Sequence, residues 1–458
     1  MDLISPIFLF LFLPVFILIF SLFRGRLKLF IGMAGSIVFY AWGGTPHSYL
    51  LIGLVVFTYL HARLIDRWRG ETISSVVFRA GILIPVALLL FFKLRTGTAY
   101  PFGLSYITFQ IISYFVDVQK TSENCEKDFF KFSFYLLLFP KIPVGPIVPY
   151  RQIKDQLNDL KPEPQDMADG LRRFLLGFAK KALIADTLGA VVTPVFHLQS
   201  PVIIPGFAWL VIVSYSLQLY YDFSGYTDMA IGVGRMMGVR FSENFDAPYL
   251  SKSIGEFWRR WHISLSTWFR EIVFYPLERR RFHWCGQQIN IMVVFMLTGL
   301  WHGATRNFLL WGAWHGAAIV FEFTPVGRKL RNLWTPLQHL YALTVILIGW
   351  VIFRSPTPDF AFDFLRRLAG DMSGVQTLPF DLTSPLPFIE PTFIIALALG
   401  VGMCLPLADW FRRYLSVFNA EKYPVLQLVY DAGLLLIFLD ALASAASASY
   451  LPGIYGTF

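Results

Sequence analysis

Charge is what this sequence has least of. Asp, Glu, Lys and Arg make up 15% of its 458 residues, against roughly 25% in a soluble globular chain. A water-soluble fold of this length needs more polar surface than that, so an ordinary soluble globule is excluded. Cysteine is scarce too. Cys125, Cys285 and Cys404 stand far apart and match neither zinc nor disulfide spacing. No P-loop, no His-Glu-x-x-His, no Cys-x-x-Cys pair and no Gly-x-Ser-x-Gly elbow occurs, so no metal site is expected and the common nucleotide and serine-hydrolase chemistries lose their sequence support. Internal repeats are absent, which disfavours transporter folds built from inverted repeats.

Apolar residues are what the chain has in excess, at 55% with a mean hydropathy of +0.55. They recur in segments almost end to end, from residues 4–23 to 424–446. The segments predict an all-α, multi-pass membrane protein forming one integral domain over 1–458, with membrane lipids as its surroundings. Its motif core is 218–322, with peripheral helices in 1–95 and 392–446. Several segments fall short of the ~20 residues of a straight span, which predicts kinked or re-entrant elements. The run from Phe139 to Pro149 holds Pro140, Pro143, Pro146 and Pro149. It cannot make a regular helix, because each proline lacks a backbone donor. Segment 203–221 reads as separate from 224–238. Phe360, Phe364, Leu365 and Leu368 lie at helical spacing and predict a short interfacial helix.

The net charge of +9 gives no focused support for nucleic acid, because the basic residues are spread through loops. Arg63 to Arg79, Arg151 to Lys181, Lys252 to Arg281 and Arg328 to Arg331 all fall on one side in a single threading, the cytoplasmic one by the positive-inside rule. The first segment reads as a span that exits into the cytoplasm, and not as a cleavable leader.

Candidate chemistry gathers in the motif core. Asp222 and Asp228 sit between apolar flanks, where a charge is expensive. They either face a cavity or pair with nearby arginines. Gly232-Val233-Gly234 lacks the dinucleotide spacing and reads as close helix packing. In Phe257-Trp258-Arg259-Arg260-Trp261-His262, the residues Phe257, Trp261, Leu265 and Trp268 share one face of a continuous amphipathic helix. His302 and His315 each lie in an apolar setting with a tryptophan before and a glycine after. A neutral imidazole there suits general acid–base work. A core histidine bonded to a helix carbonyl is the other reading of each.

These blocks together resemble the membrane-bound O-acyltransferase family, in its bacterial polysaccharide branch of alginate O-acetylation and teichoic acid D-alanylation. The resemblance is carried by Tyr221-Asp222-Phe223-Ser224-Gly225-Tyr226, Asn244-Phe245-Asp246-Ala247-Pro248-Tyr249, Phe257 to Ser266, and Leu300-Trp301-His302-Gly303-Ala304. Phe139-Pro140-Lys141, Lys180-Lys181 with Asp186, and Gly349 to Arg354 agree, and the likeness covers about 1–445. One block departs: Tyr275-Pro276-Leu277-Glu278-Arg279-Arg280-Arg281 stands where alginate-type members carry Pro-Leu-Gly-Gly, which leaves the donor and partner open.

The resemblance implies about eleven to twelve tilted helices around a funnel or tunnel. It implies a midplane histidine, matched by His302, a second polar position, matched by His262, and a third, more often structural, histidine, matched by His315; His302 and His262 are the expected catalytic residues. It implies an acyl transfer, most naturally of acetyl, from a cytoplasmic thioester to a hydroxyl. The thioester is acetyl-CoA or a carrier-protein thioester, and no cofactor is bound. The hydroxyl belongs to an extracytoplasmic polysaccharide or to a partner acyltransferase, and the location is a bacterial cytoplasmic membrane. Trp258, Arg259, Arg260, Trp261, Asp222, Trp301 and His315 are the expected substrate-binding residues, with the two arginines either on the donor's phosphates or on a solvated face toward lipid headgroups. D-alanyl transfer, a transporter or flippase, and a docking scaffold are the rival readings.

Overall fold

A computed structural model describes residues 1–42, 48–95, 100–143, 145–198, 200–201, 203–280, 286–375, 389–404 and 424–447. Val144, Arg281 and Cys285 lie outside the described residues. The described chain is helical, as the apolar segments predict. Four helices are long and apolar enough to cross a membrane: Ser48–Arg67, Thr72–Leu94, Thr335–Arg354 and Val425–Ala446. Phe8–Leu22 and Pro391–Cys404 are shorter apolar helices. Leu83, Ile84 and Phe91 of the second, and Leu435, Leu436 and Leu439 of the fourth, are exposed. Helices whose apolar side chains point outward are built for lipid, where every backbone group must be bonded within the helix.

The chain packs as two compact units. One holds Met1–Gly177 and Tyr226–Glu243. Its interior is the Leu104–Lys120 helix, buried along nearly its whole length. A phenylalanine cluster of Phe8, Phe12, Phe16 and Phe39 meets Phe139 at ring distances of 5.0 to 6.1 Å. Phe139–Lys141 is a single 3-10 turn, and the described residues after it stay out of helix to Pro149, as four prolines require. Two ion-pair clusters hold the polar end of this unit. Asp166 pairs with Arg235 at 2.9 Å and with Arg240 at 3.1 Å, and Arg173 with Asp228 at 2.8 Å and with Glu243. Burial alone would push the Asp166 carboxyl up, but the hydrogen bonds from Arg235 and Arg240 outweigh it and hold the group below its ordinary value.

The other unit holds Phe178–Gly225 and Asn244–Phe458. Leu188, Val192, Val211, Ile212, Tyr215 and Trp350 are among the side chains of its buried core. The expected helix at 359–368 is Pro358–Leu368. Its Phe364 stacks on Phe196 at 5.3 Å.

Two expectations are corrected here. Segments 203–221 and 224–238 are not separate: one helix, Pro205–Met236, runs through Asp222. The carboxylate at its middle is tolerated because Lys181 reaches it at 2.9 Å, with the Lys181 side chain 3% exposed and that of Asp222 6%. Lys181 also pairs with Asp186 and sits in a π-helical stretch, Lys180–Ala185. The stretch Phe257 to Trp268 is likewise not one helix. It is Ile254–Arg260 and Ile263–Trp268, broken at Trp261 and His262.

Candidate functional site

Three histidines among the described residues of the unit that holds 244–458 are buried: His262 at 1% exposure, His302 at 6% and His315 at 0%. Each reaches its place by a different local device.

His302 ends the Gly286–His302 helix, which turns tightly into Arg306–Glu322. Glycines let the two helices touch along their backbones. A Cβ at Gly299 would stand 2.3 Å from the Phe308 carbonyl oxygen, and one at Gly312 2.4 Å from that of Phe295. Seventeen residues in each helix, at about 1.5 Å rise, make about 25 Å. That is short of a ~30 Å hydrocarbon core. The apolar groove of this hairpin, about 550 Å³ and lined by Met292, Met296, Leu297 and Leu300, carries no titratable group and is a lipid-type surface.

His315 lies on the second helix of the hairpin, against Trp258 at 5.2 Å and Trp311 at 5.1 Å. It fits because residue 349 is glycine: a Cβ there would stand 2.4 Å from His315 Nε2. His262 sits at the break between the two short helices with φ of 43°, a conformation rare outside glycine that marks functional sites more often than chance. Asn244 faces its Nδ1 at 3.2 Å. Phe223 meets its ring edge-on at 4.6 Å.

Tryptophans join these groups. The Trp301 ring is 6.5 Å from His262 and 4.5 Å from His302. Trp311 is 5.2 Å from His302, and Phe353 is 5.0 Å from it on another side. His262 Nε2, both ring nitrogens of His315, and the indole N–H groups of Trp258 and Trp311 are buried with no partner among the described residues. Polar atoms at low dielectric without partners are costly, so each of these is a group fit to receive a hydrogen-bonding partner.

The expected site residues thus divide. His262, Trp301, His302, Trp258 and His315 come together, and Trp261 supports them, stacked on Phe257 at 5.5 Å and tilted against Trp350 at 5.1 Å. Asp222 is engaged by Lys181. Arg260 is tied to Glu256 at 2.9 Å and to Asp246 at 3.6 Å, and Arg259 is exposed.

Several supporting residues escaped sequence reasoning. The Glu322 carboxylate accepts hydrogen bonds from the backbone N–H groups of Ile254 and Gly255. It thereby fixes the start of the helix that carries Trp258, where a negative charge also suits the helix dipole. Tyr249 donates to the Ser216 carbonyl at 2.6 Å and accepts from the Trp350 indole at 3.2 Å. Asn244 is the hub of the His262 turn. A lone acid ending an apolar segment was the available signal for Glu322. Nothing local signals the partners of Tyr249 or Asn244.

Comparison with known proteins fits this arrangement. The family model for MBOAT, the membrane-bound O-acyltransferase family, matches residues 102–348. The "probable alginate O-acetylase" of Pseudomonas aeruginosa is 37% identical over 381 residues, 77% of this chain and 71% of its own length. That of Pseudomonas putida is 35% identical over 99% of both chains. The "peptidoglycan O-acetyltransferase" of Helicobacter pylori is 30% identical over 81% of this chain and 80% of its own. With this likeness running its full length and apolar helices facing outward, the chain belongs to the membrane-bound O-acyltransferase family and is a multi-pass O-acyltransferase.

Proposed function

We propose that this enzyme moves an acetyl group from a thioester presented on the cytoplasmic side, acetyl-CoA or a carrier-protein thioester, to a hydroxyl of an extracytoplasmic polysaccharide or of a partner protein that passes it on. Its seat is a bacterial cytoplasmic membrane. The observation that carries the reading is the joining of His262, Trp301 and His302 in one buried aromatic cluster. The names of the relatives supply the acetyl group and the polysaccharide class.

His302 takes the proton of the acceptor hydroxyl as its oxygen attacks the thioester carbonyl. The tetrahedral intermediate collapses, the carbon–sulfur bond breaks, and His302 returns the proton to the leaving thiolate. Atoms balance as one ester and one thiol from one alcohol and one thioester. His262 and Trp258 orient the donor arm. Trp301, Trp261 and His315 line the site. Arg259, exposed beside it, and Arg260 meet the donor's phosphates. Asp222 serves the site at a distance, through its pair with Lys181.

The test is thiol release from acetyl-CoA by the full chain in detergent, with a polysaccharide acceptor, for wild type beside His302→Ala. The expected result is loss of at least about a hundredfold in kcat at unchanged insertion and yield. Equal turnover by the variant would take His302 out of the chemistry. Release from a D-alanyl carrier thioester and none from acetyl-CoA would replace the acetyl donor by the other one.

A further inference from the structure

The carboxamide oxygen of Asn244 stands among three groups. The Ser264 backbone N–H donates to it at 3.1 Å and the Ser264 hydroxyl at 2.9 Å, and His262 Nδ1 lies 3.2 Å away. A backbone N–H can only donate, so the amide atom that faces Ser264 is the oxygen and not the nitrogen. That oxygen cannot donate, so Nδ1 carries the proton. A neutral imidazole holds one, and Nε2 is left with a bare lone pair. Nε2 is buried and meets no partner among the described residues.

The turn that holds this geometry is clamped from both sides. The Ile263 N–H donates to the Asn244 carbonyl at 2.9 Å, and the Asp246 N–H to the Arg260 carbonyl at 3.0 Å. Left-handed backbone at His262 is strained and persists only where its surroundings over-determine it.

We infer that Asn244 is a positioning residue: it fixes His262 as the Nδ1–H tautomer and so makes Nε2 a hydrogen acceptor toward an N–H or O–H group of the substrates. The inference rests on the reading of the histidine cluster as the acyl-transfer site. Two substrate groups have the required chemistry, an amide N–H of the donor's pantetheine arm and the acceptor hydroxyl. His262 packs against the rings of Phe223 and Trp301. Of the charged groups on the elements around it, Asp222, on the helix that carries Phe223, pairs with Lys181, Arg260 pairs with Glu256 and Asp246, and Arg259 is exposed. Across Trp301 the next titratable group is His302.

The experiment measures kcat and KM for acetyl-CoA against pH on the full chain, for wild type, Asn244→Asp, Asn244→Ala and His262→Ala. Aspartate keeps the oxygen that Ser264 and Nδ1–H need, and adds a negative charge that favours the imidazolium. Protonated Nε2 cannot accept, so the acid limb of kcat/KM moves to higher pH by about one pH unit or more, with activity regained at alkaline pH. The shift vanishes in the Asn244→Asp/His262→Ala double variant. A limb carried by KM assigns Nε2 to the donor arm, and one carried by kcat assigns it to the hydroxyl. Asn244→Ala lowers kcat/KM at least tenfold at every pH. Should that variant not fold, Asn244→Asp carries the test alone, because it keeps every acceptor bond. An unmoved limb in Asn244→Asp, or a shift that survives in the double variant, overturns the inference. Wild-type kcat/KM in His262→Ala, with His302→Ala dead, overturns it and spares the acyl-transfer reading. Activity in both histidine variants brings down that reading itself.

Discussion

Lys181 shows how single residues decide what this interior can hold. Its ammonium is shared by Asp222 and Asp186, and Lys181 and Asp222 are almost wholly buried. Removing it takes from both carboxylates the cation they share. Breaking a buried pair from one side costs about 3–5 kcal/mol, because the remaining charge is uncompensated. Lys181→Met is therefore expected to lower the thermal midpoint of the detergent-solubilised protein sharply, and Lys181→Met/Asp222→Asn to recover part of the loss. A single variant as stable as wild type would mean that water already screens the triad. Sequence could name Lys181 and Asp222, forty-one positions apart, and could raise an arginine pair or a cavity for the aspartate. Which partner it takes depends on two helices packing side by side, and no local pattern encodes that.

Among the elements, the hairpin of Gly286–His302 and Arg306–Glu322 carries the most consequence for the site. Its two backbones approach until carbonyl oxygens occupy the space a methyl group would need. Backbone atoms cannot swing aside as a side-chain tip can, so overpacking here spreads the helices, at roughly 1–3 kcal/mol. Gly312→Ala is expected to lower both thermal midpoint and turnover, because Trp311 and His315 flank that position and line the histidine cluster. Gly53→Ala is the control, since nothing lies within 4 Å of a Cβ there. Equal behaviour of the two variants would show that the hairpin tolerates spreading. Periodicity found these helices but misjudged two others. It split Pro205–Met236 at a carboxylate that an ion pair makes tolerable. It joined Ile254–Arg260 to Ile263–Trp268. The apolar residues there keep helical spacing across the break, and Phe257, Trp261, Leu265 and Trp268 are all buried, so the pattern of burial cannot reveal the turn.

At the scale of the whole molecule, some of the scarce charges tie distant parts of the chain together. Asp166 joins the start of Pro164–Ala179 to Arg235 and Arg240, about seventy positions away, within one compact unit. Its folded carboxyl lies below the ordinary value of 3.8. A depressed acid stabilises the fold above its unfolded value, and that contribution fades as pH falls through the lower folded one. The thermal midpoint should therefore drop on acidification below about pH 4, and Asp166→Asn should show a smaller drop from a lower starting point. An identical acid profile in the variant would mean that the carboxylate contributes nothing to the pH dependence.

Composition and segment pattern determined by themselves that this is a helical membrane chain, because lipid admits few other ways to bury so many apolar residues with every backbone group bonded. The motif blocks alone determined the family and the histidines worth examining, since those residue types are expensive in apolar surroundings and stand out against them. Tertiary structure decided the rest: that His262 and His302 share Trp301, that Glu322 caps the helix of Trp258, that Lys181 answers Asp222, and that Asn244 sets the proton on His262. Each is a contact between residues apart in sequence, fixed by packing and hydrogen-bond direction, and none is written in the local run of side chains.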